Sequence, residues 1–235
     1  MKKWLIVICA FGFLIGFVGL GNVYAQFGNK VADTPHNLRE AAEPPMPLTD
    51  YGEICVYCHT PHNNNTEIEA PLWNRSTPSG PYDMYDSPTL DMDVASSPQG
   101  VSLACLSCHD NTIALDQIIN IPPSAFGSEP SGTTIEACGT QCHVGDNPVG
   151  GINFEGTIID TDLRNDHPIS ITYDPSKDPN FLPASNGKVG NLPLYGPNAD
   201  RVECASCHNP HDNSNRPFLR VSNENSAMCL TCHDI

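Results

Sequence analysis

Five short stretches of this 235-residue chain place a histidine directly after a pair of cysteines. Four have the spacing C-x-x-C-H, and the fifth has one more residue between its cysteines. The sets are Cys55, Cys58 and His59; Cys105, Cys108 and His109; Cys204, Cys207 and His208; Cys229, Cys232 and His233; and, with the longer spacer, Cys138, Cys142 and His143. C-x-x-C-H is the attachment signature of a c-type haem, whose vinyl groups take the two thiols and whose iron takes the adjacent histidine as its proximal ligand. The sequence therefore predicts five covalently bound haem c groups.

Cysteine usage separates this interpretation from other cysteine chemistry. Of the 11 cysteines, ten lie in the five sets, and the eleventh, Cys9, lies near the N-terminus. A zinc site needs tetrahedral sets of four ligands, and neither zinc nor a disulfide requires a histidine after every pair. Haem attachment is therefore favoured for the four regular sets. For Cys138 and Cys142, a small disulfide stays as the alternative.

Four histidines lie outside these sets, and each is next to a proline: His36, His62, His167 and His211. Proline fixes one of its own backbone torsions and restrains its neighbour, so each imidazole is held on a pre-set backbone. This arrangement suits a distal haem ligand, and we predict that role for all four. The alternative is an exposed histidine in a turn.

His62 and His211 each follow a proximal histidine by three residues. Three residues cannot pass around a porphyrin to its opposite face, so each of these histidines is expected to ligate a different haem from that of its own motif. Adjacent haems would then be tied together. An imidazole pointing into solvent would contradict this expectation.

Four distal histidines leave one of five haems without a partner. We expect that haem to be the one at 138–143. Its sixth ligand is left open between Met84 or Met92, a water, an open position and a histidine from a neighbouring subunit; Met46 and Met228 are less favoured.

The N-terminus has the pattern of a secretory signal peptide. Lys2 and Lys3 precede an apolar run, and Val23-Tyr24-Ala25 forms a small-residue cleavage site. The predicted mature chain, 26–235, is a single multihaem domain with an extended N-terminal arm over 26–50; an uncleaved membrane anchor is the alternative. Export to the periplasm, cell surface or exterior is expected, because cysteine pairs receive haem outside the cytoplasm.

Composition predicts the fold class. The chain carries 22 prolines, 18 glycines and a net charge of −16. This favours mostly loops and short helices with little sheet, packed around a chain of c-type haems, and the negative charge excludes nucleic acid as a partner. We predict a short helix over 112–119 and strand character over 157–159 and 169–173.

The chain contains an internal repeat. Residues 55–63 match 204–212, both with a proline and a histidine after the motif, and residues 105–110 match 229–234. The 138–143 motif matches neither and has the character of an insertion. The organisation is thus a pair of motifs, the odd motif, and a second pair.

From Cys55 onward the chain resembles the multihaem cytochromes with paired C-x-x-C-H motifs. The runs that carry the resemblance are C-H-T-P-H-N at 58–63, P-L-W-N-R at 71–75, C-L-S-C-H-D at 105–110, N-D-H-P-I at 165–169, and 202–233 with P-F-L-R at 217–220 and S-A-M-C at 226–229. It is also similar to small outer-surface cytochromes that polymerise into filaments. The resemblance implies electron transport, two histidine ligands per iron, and a homopolymer in which His36 is donated between subunits. The 138–143 motif departs from the four-haem members.

Electron transfer is the function that these observations favour, because iron with histidine on both sides has no free position for a substrate. An outer-surface conduit is preferred to a soluble periplasmic shuttle, and the partners are other electron-transfer proteins or extracellular acceptors. A reductase at the haem of 138–143 is the enzymatic alternative. No lysine or arginine lies close to that motif to bind an anion, so we expect a carrier and not an enzyme.

Overall fold

A computed structural model of the chain describes residues 30–39, 48–135 and 157–234. The predicted signal peptide, most of the proline-rich part of the N-terminal arm and the entire motif at 138–143 lie outside these ranges. The described residues contain the other four motifs and all four predicted distal histidines.

Helical structure is short and concentrated at the cysteine pairs. Among the elements that lie entirely within the described ranges, the α-helices are α1, Ser102–His109, and α2, Cys204–Cys207, and the 3₁₀ helices are Val31–Asp33, Cys55–Tyr57, Pro123–Ala125, Leu163–Asn165, Glu224–Ser226 and Cys229–Thr231. Residues three apart lie on one face of a helix, so a helical turn over C-x-x-C presents both thiols on the same side. The four described motifs therefore share one local structure.

The strands are only two residues long. Ile171–Thr172 (β1) pairs antiparallel with Arg201–Val202 (β4), and Lys188–Val189 (β2) pairs antiparallel with Leu192–Pro193 (β3). The predominance of loops, with few helices and little sheet, agrees with the predicted class. The predicted strand over 169–173 is formed in part, as β1.

Buried apolar side chains of the described residues form two small clusters. One contains Leu48, Leu115 and Ile135. The other contains Tyr173, Val189 and Leu194. Three buried residues in a cluster are few for a chain of this length, so packing between ordinary apolar side chains provides only part of the interior.

Two local predictions were wrong. Residues 112–119 form turns and not a helix, because Asn111 has a left-handed backbone with φ 63° and the Asp110 carboxylate accepts hydrogen bonds from the Thr112 amide and hydroxyl. Residues 157–159 form no strand. The amide of Ile159 instead donates to the carbonyl of His109 at 2.9 Å, which holds this segment against the end of α1.

The described part of the N-terminal arm is folded and not extended. After the 3₁₀ helix Val31–Asp33, Thr34 Oγ1 donates to the Val31 carbonyl and Asn37 Nδ2 donates to the Ala32 carbonyl. This turn places the ring of His36 on that of Phe218, with centroids 4.4 Å apart. The arm is therefore anchored to the segment that follows the 204–208 motif.

None of the helices in the described ranges is both long and apolar enough to cross a membrane.

Candidate haem site

The cysteines of neighbouring motifs lie side by side. Burial raises the pKa of the Cys58 thiol to about 12, and the next cause is the nearby Cys108. The pKa of Cys105 is raised well above its ordinary value, first by its interaction with the Cys204 thiol and then by burial. The motif at 105–109 therefore lies near the first motif on the side of Cys108 and meets the motif at 204–208 at Cys105, where the Cys204 amide also donates to the Ser102 hydroxyl at 2.9 Å.

The motifs at 204–208 and 229–233 are also neighbours. Burial raises the pKa of Cys207 to about 11, and Cys232 is the next cause. The four described motifs thus form one series in chain order. Its end members, Cys55 and Cys229, are exposed, whereas the six cysteines between them are partly buried. None of these eight cysteines forms a disulfide.

Three of the four described proximal histidines have one ring nitrogen held by a backbone carbonyl. The Nδ1 contacts are His59 to Pro71 (2.7 Å), His109 to Thr157 (2.7 Å) and His208 to Pro217 (3.0 Å). A metal-binding histidine typically donates its second N–H in this way, which fixes the tautomer and orients the ring. With Nδ1 donating to a carbonyl, Nε2 is left as the nitrogen that can bind iron.

Three proximal histidines also face a second imidazole. The ring centroids are 6.2 Å apart for His36 and His109, 5.9 Å for His59 and His211, and 6.4 Å for His167 and His233. Two imidazoles that bind one metal from opposite sides, each with a bond of about 2 Å, have centroids roughly 6 Å apart. The spacing of all three pairs fits an iron between the rings.

The environment of His36 agrees with this fit. Burial, and after it the nearby His109, lowers the pKa of His36 to about 4. Burial also lowers the pKa of His109. Metal ligation requires the neutral imidazole, and this is the form that both environments favour. The Nδ1 atom of His36 is buried without a hydrogen-bond partner.

The four predicted distal histidines differ in their placement. The ring of His211 lies 5.9 Å from that of His59, which belongs to another motif, and the ring of His36 lies 6.2 Å from that of His109 in the same chain. His62 is exposed, and among the described residues no aromatic or imidazole ring faces it, so its predicted contact with a second motif is not formed within the described chain.

His208 is the proximal histidine that remains. None of the four predicted distal rings lies opposite it at the spacing of the three pairs. His36 and His109 are close enough for His208 to lower the pKa of each, although burial is the larger cause.

Three buried side chains near the motifs were not predicted as site residues. Arg75 is 0% exposed and donates to carbonyls around α1. Glu203, 1% exposed, accepts from the hydroxyls of Ser102 and Ser170. Trp73 lies edge-on to His59, with centroids 5.7 Å apart, and its buried Nε1 has no partner. Arg75 and Trp73 belong to the P-L-W-N-R run and Glu203 precedes Cys204, so closeness to a motif in the sequence was the available signal.

Within the described ranges, no group of three or more His, Cys, Asp or Glu side chains is arranged to hold a bare metal ion. Met84 and Met92, considered as ligands of the fifth haem, line one cavity of about 400 Å³. Their relation to Cys138, Cys142 and His143 lies outside the described residues. The donor set in the described part, paired thiols with a histidine on each side, fits haem and not a bare ion.

Residues 196–235 match a family described as the doubled CXXCH motif. No curated protein matches the chain. The family match covers the last two described motifs, Cys204 to His208 and Cys229 to His233, and identifies them as a c-type cytochrome motif that binds haem covalently. Haem-binding electron transfer is the function that this doubled motif indicates.

Proposed function

We propose that the chain is an exported multihaem cytochrome that carries electrons through five haem c groups and catalyses no reaction of its own. The observation that supports it most directly is the unbroken series of cysteines through Cys58 and Cys108, Cys105 and Cys204, and Cys207 and Cys232. Haems attached to adjoining thiols lie close together, and closeness is the main requirement for electron transfer between them. Haem supplies the one-electron chemistry, whereas the protein fixes spacing, ligation and environment.

The ligands follow from the ring pairs. We assign His59 with His211, His109 with His36, and His233 with His167 as the proximal and distal ligands of three haems. Backbone carbonyls hold the tautomer of His59 and His109, and burial lowers the pKa of His36, His109, His211 and His233, which keeps the imidazoles in the neutral form that ligates. Histidine on both sides of the iron excludes substrate, so these haems exchange electrons only.

Polymerisation is the finer part of the proposal. The two halves of the repeat meet head to tail, with the second motif of the first half against the first motif of the second half. The motifs left at the two ends carry the exposed cysteines, Cys55 and Cys229. Repetition of the same head-to-tail contact between copies generates a filament where the rotation between them does not close a ring.

His62 is the residue that we place at this boundary, in contrast to the expectation for His36. Its counterpart in the repeat, His211, reaches back to His59 in the other half of the chain. If two copies of the chain are arranged as the two halves of the repeat are, His62 is the distal ligand of the haem whose proximal ligand is His208 of the partner subunit. This assignment accounts for both the exposed His62 and the absence of a distal ring at His208 within the described residues.

The proposal is tested on the secreted full-length protein. We expect a mass that corresponds to five haems, low-spin signals from the four haems with a histidine on each side, and filaments in electron micrographs. In the variant His62→Ala, a high-spin ferric signal should appear and filaments should be lost, whereas His36→Ala should gain the signal and retain filaments. Particles of single-subunit size at every protein concentration would favour the periplasmic shuttle, and a colourless protein would contradict haem binding itself.

A further inference from the structure

Arg75 is a fully enclosed cation between the first two motifs. Its guanidinium donates from Nη1 to the Leu115 carbonyl at 2.7 Å and from Nη2 to the carbonyls of Ser107 and Ala114 at 2.7 and 2.8 Å. Nε donates to Ser107 Oγ at 3.2 Å. These four hydrogen bonds fix the position of the side chain, and because all four acceptors are neutral, they do not neutralise its positive charge.

No carboxylate neutralises this charge by direct contact. Among the described residues, the salt bridges involve Arg39, Arg164 and Lys177, all of them at the surface. The buried carboxylate nearest in sequence to its acceptors is Asp116, whose Oδ2 accepts instead from the amides of Thr49 and Ser131. A buried charge interacts over longer distances than an exposed one, because water and salt screen it less.

The charge lies next to a haem attachment point. The preceding residue, Asn74, donates from its backbone amide to the Cys58 carbonyl at 2.8 Å and from Nδ2 to the Val56 carbonyl at 2.7 Å, so Arg75 lies directly beside the Cys55–Cys58 turn. Arg75 also donates hydrogen bonds to Ser107, which lies between the two cysteines of the next motif.

We infer that Arg75 raises the reduction potential of the haem attached at Cys55 and Cys58. The inference rests on the proposed function. One electron enters the haem and converts Fe(III) to Fe(II), with no bond made or broken, so the charge of the haem falls by one. A fixed positive charge nearby favours the reduced state, and local charge and burial are established determinants of haem potential.

The chain contains a matched arginine for comparison. Arg220 follows the repeated motif as Arg75 follows the first, and it also donates to a motif carbonyl, that of Ala205, at 2.6 Å. Arg220 is partly exposed, so solvent screens its charge. Replacing either arginine by glutamine therefore removes one positive charge, at a buried position for Arg75 and at a partly exposed position for Arg220.

The experiment is a spectroelectrochemical titration of the secreted, haem-loaded protein, with haem content checked by mass. The variant Arg75→Gln should move one component of the titration to lower potential, and the shift should persist at high salt. Arg220→Gln should give a smaller shift that salt reduces. Ser107→Ala removes one of the four hydrogen bonds of Arg75 but keeps the charge, so its titration should match that of the wild type.

The conservative variant Arg75→Lys keeps the positive charge, so it distinguishes an effect of the charge on the haem from a role of Arg75 in supporting the local structure. It should restore most of the potential lost in Arg75→Gln. An unchanged titration of fully loaded Arg75→Gln would overturn the inference and leave the proposed function intact. Loss of haem from both Arg75→Gln and Arg75→Lys would also overturn it, because a residue that tunes a bound haem must leave the haem bound when its charge is kept. A colourless wild-type protein would contradict the proposed function instead.

Discussion

Individual imidazoles in this chain are held by their surroundings in the form that binds a metal. Backbone carbonyls at 2.7 to 3.0 Å orient His59, His109 and His208. Burial lowers the pKa of His36 and His109. Orientation and deprotonation are two requirements for iron ligation, and at these positions local backbone contacts and burial meet both.

The lowered pKa of His36 predicts the sign of a pH effect. An ordinary histidine has a pKa of about 6.5, whereas that of His36 lies at about 4 in the folded protein. Burial keeps His36 neutral below pH 6.5 in the folded protein, and ligation to the haem iron acts in the same direction, so the unfolded chain binds more protons and the free energy of unfolding should decrease as the pH falls from 6.5 towards 4. Urea unfolding of the haem-loaded protein, followed by Soret absorbance at several pH values, measures this slope.

The control is His36→Phe, which keeps a ring against Phe218 and removes the titrating group. In this variant the free energy of unfolding should change less with pH over the same range, by an amount that corresponds to the uptake of up to one proton. Equal slopes for the two proteins would show that His36 does not contribute.

At the scale of elements, Glu203 joins the two α-helices. Its amide donates to Ser206 Oγ within α2, and its carboxylate accepts from the hydroxyls of Ser102 at the start of α1 and Ser170 before β1. The Ser102 hydroxyl oxygen in turn accepts from the Cys204 amide at 2.9 Å. This network sets how the motif at 105–109 meets the motif at 204–208.

Removal of this carboxylate should destabilise the contact between the two motifs. Glu203→Ala leaves the buried hydroxyls of Ser102 and Ser170 without their acceptor, which should cost about 1–3 kcal/mol per unpaired group. Glu203→Gln retains an acceptor oxygen and should cost less. Denaturant unfolding of the haem-loaded variants measures both, and an Ala variant as stable as the Gln variant would contradict the role of this network.

Sequence patterns predicted the elements that depend on local spacing and missed those that depend on distant contacts. C-x-x-C identified the short helices, and the histidines beside proline proved to include the three rings that face proximal histidines. The order of the motifs could not be predicted, because it depends on contacts such as Ser102 to Glu203 across 101 residues. The error over 112–119 has a local cause, since Asp110 accepts from Thr112 and competes with the helix.

At the scale of the whole molecule, the interior is built around the motifs more than around apolar side chains. Each apolar cluster has three buried residues. Burying a porphyrin removes roughly 400–500 Å² of apolar surface from water, worth about 10 kcal/mol per haem. We therefore predict that the chain produced without haem attachment lacks the compact fold, with unfolded far-UV circular dichroism and rapid proteolysis. A protease-resistant apoprotein would contradict this prediction.

The order of the motifs makes the consequence of losing one haem depend on its place in the series. The motif at 105–109 has a neighbouring motif on both sides, near Cys108 and at Cys105, whereas the motif at 229–233 has a neighbour on one side and has Cys229 exposed. Replacing Cys105 and Cys108 by Ala should therefore separate the two halves and lower the remaining haem content. Replacing Cys229 and Cys232 should remove a single haem. Mass and limited proteolysis compare the variants, and equal damage from the two replacements would be incompatible with a linear series.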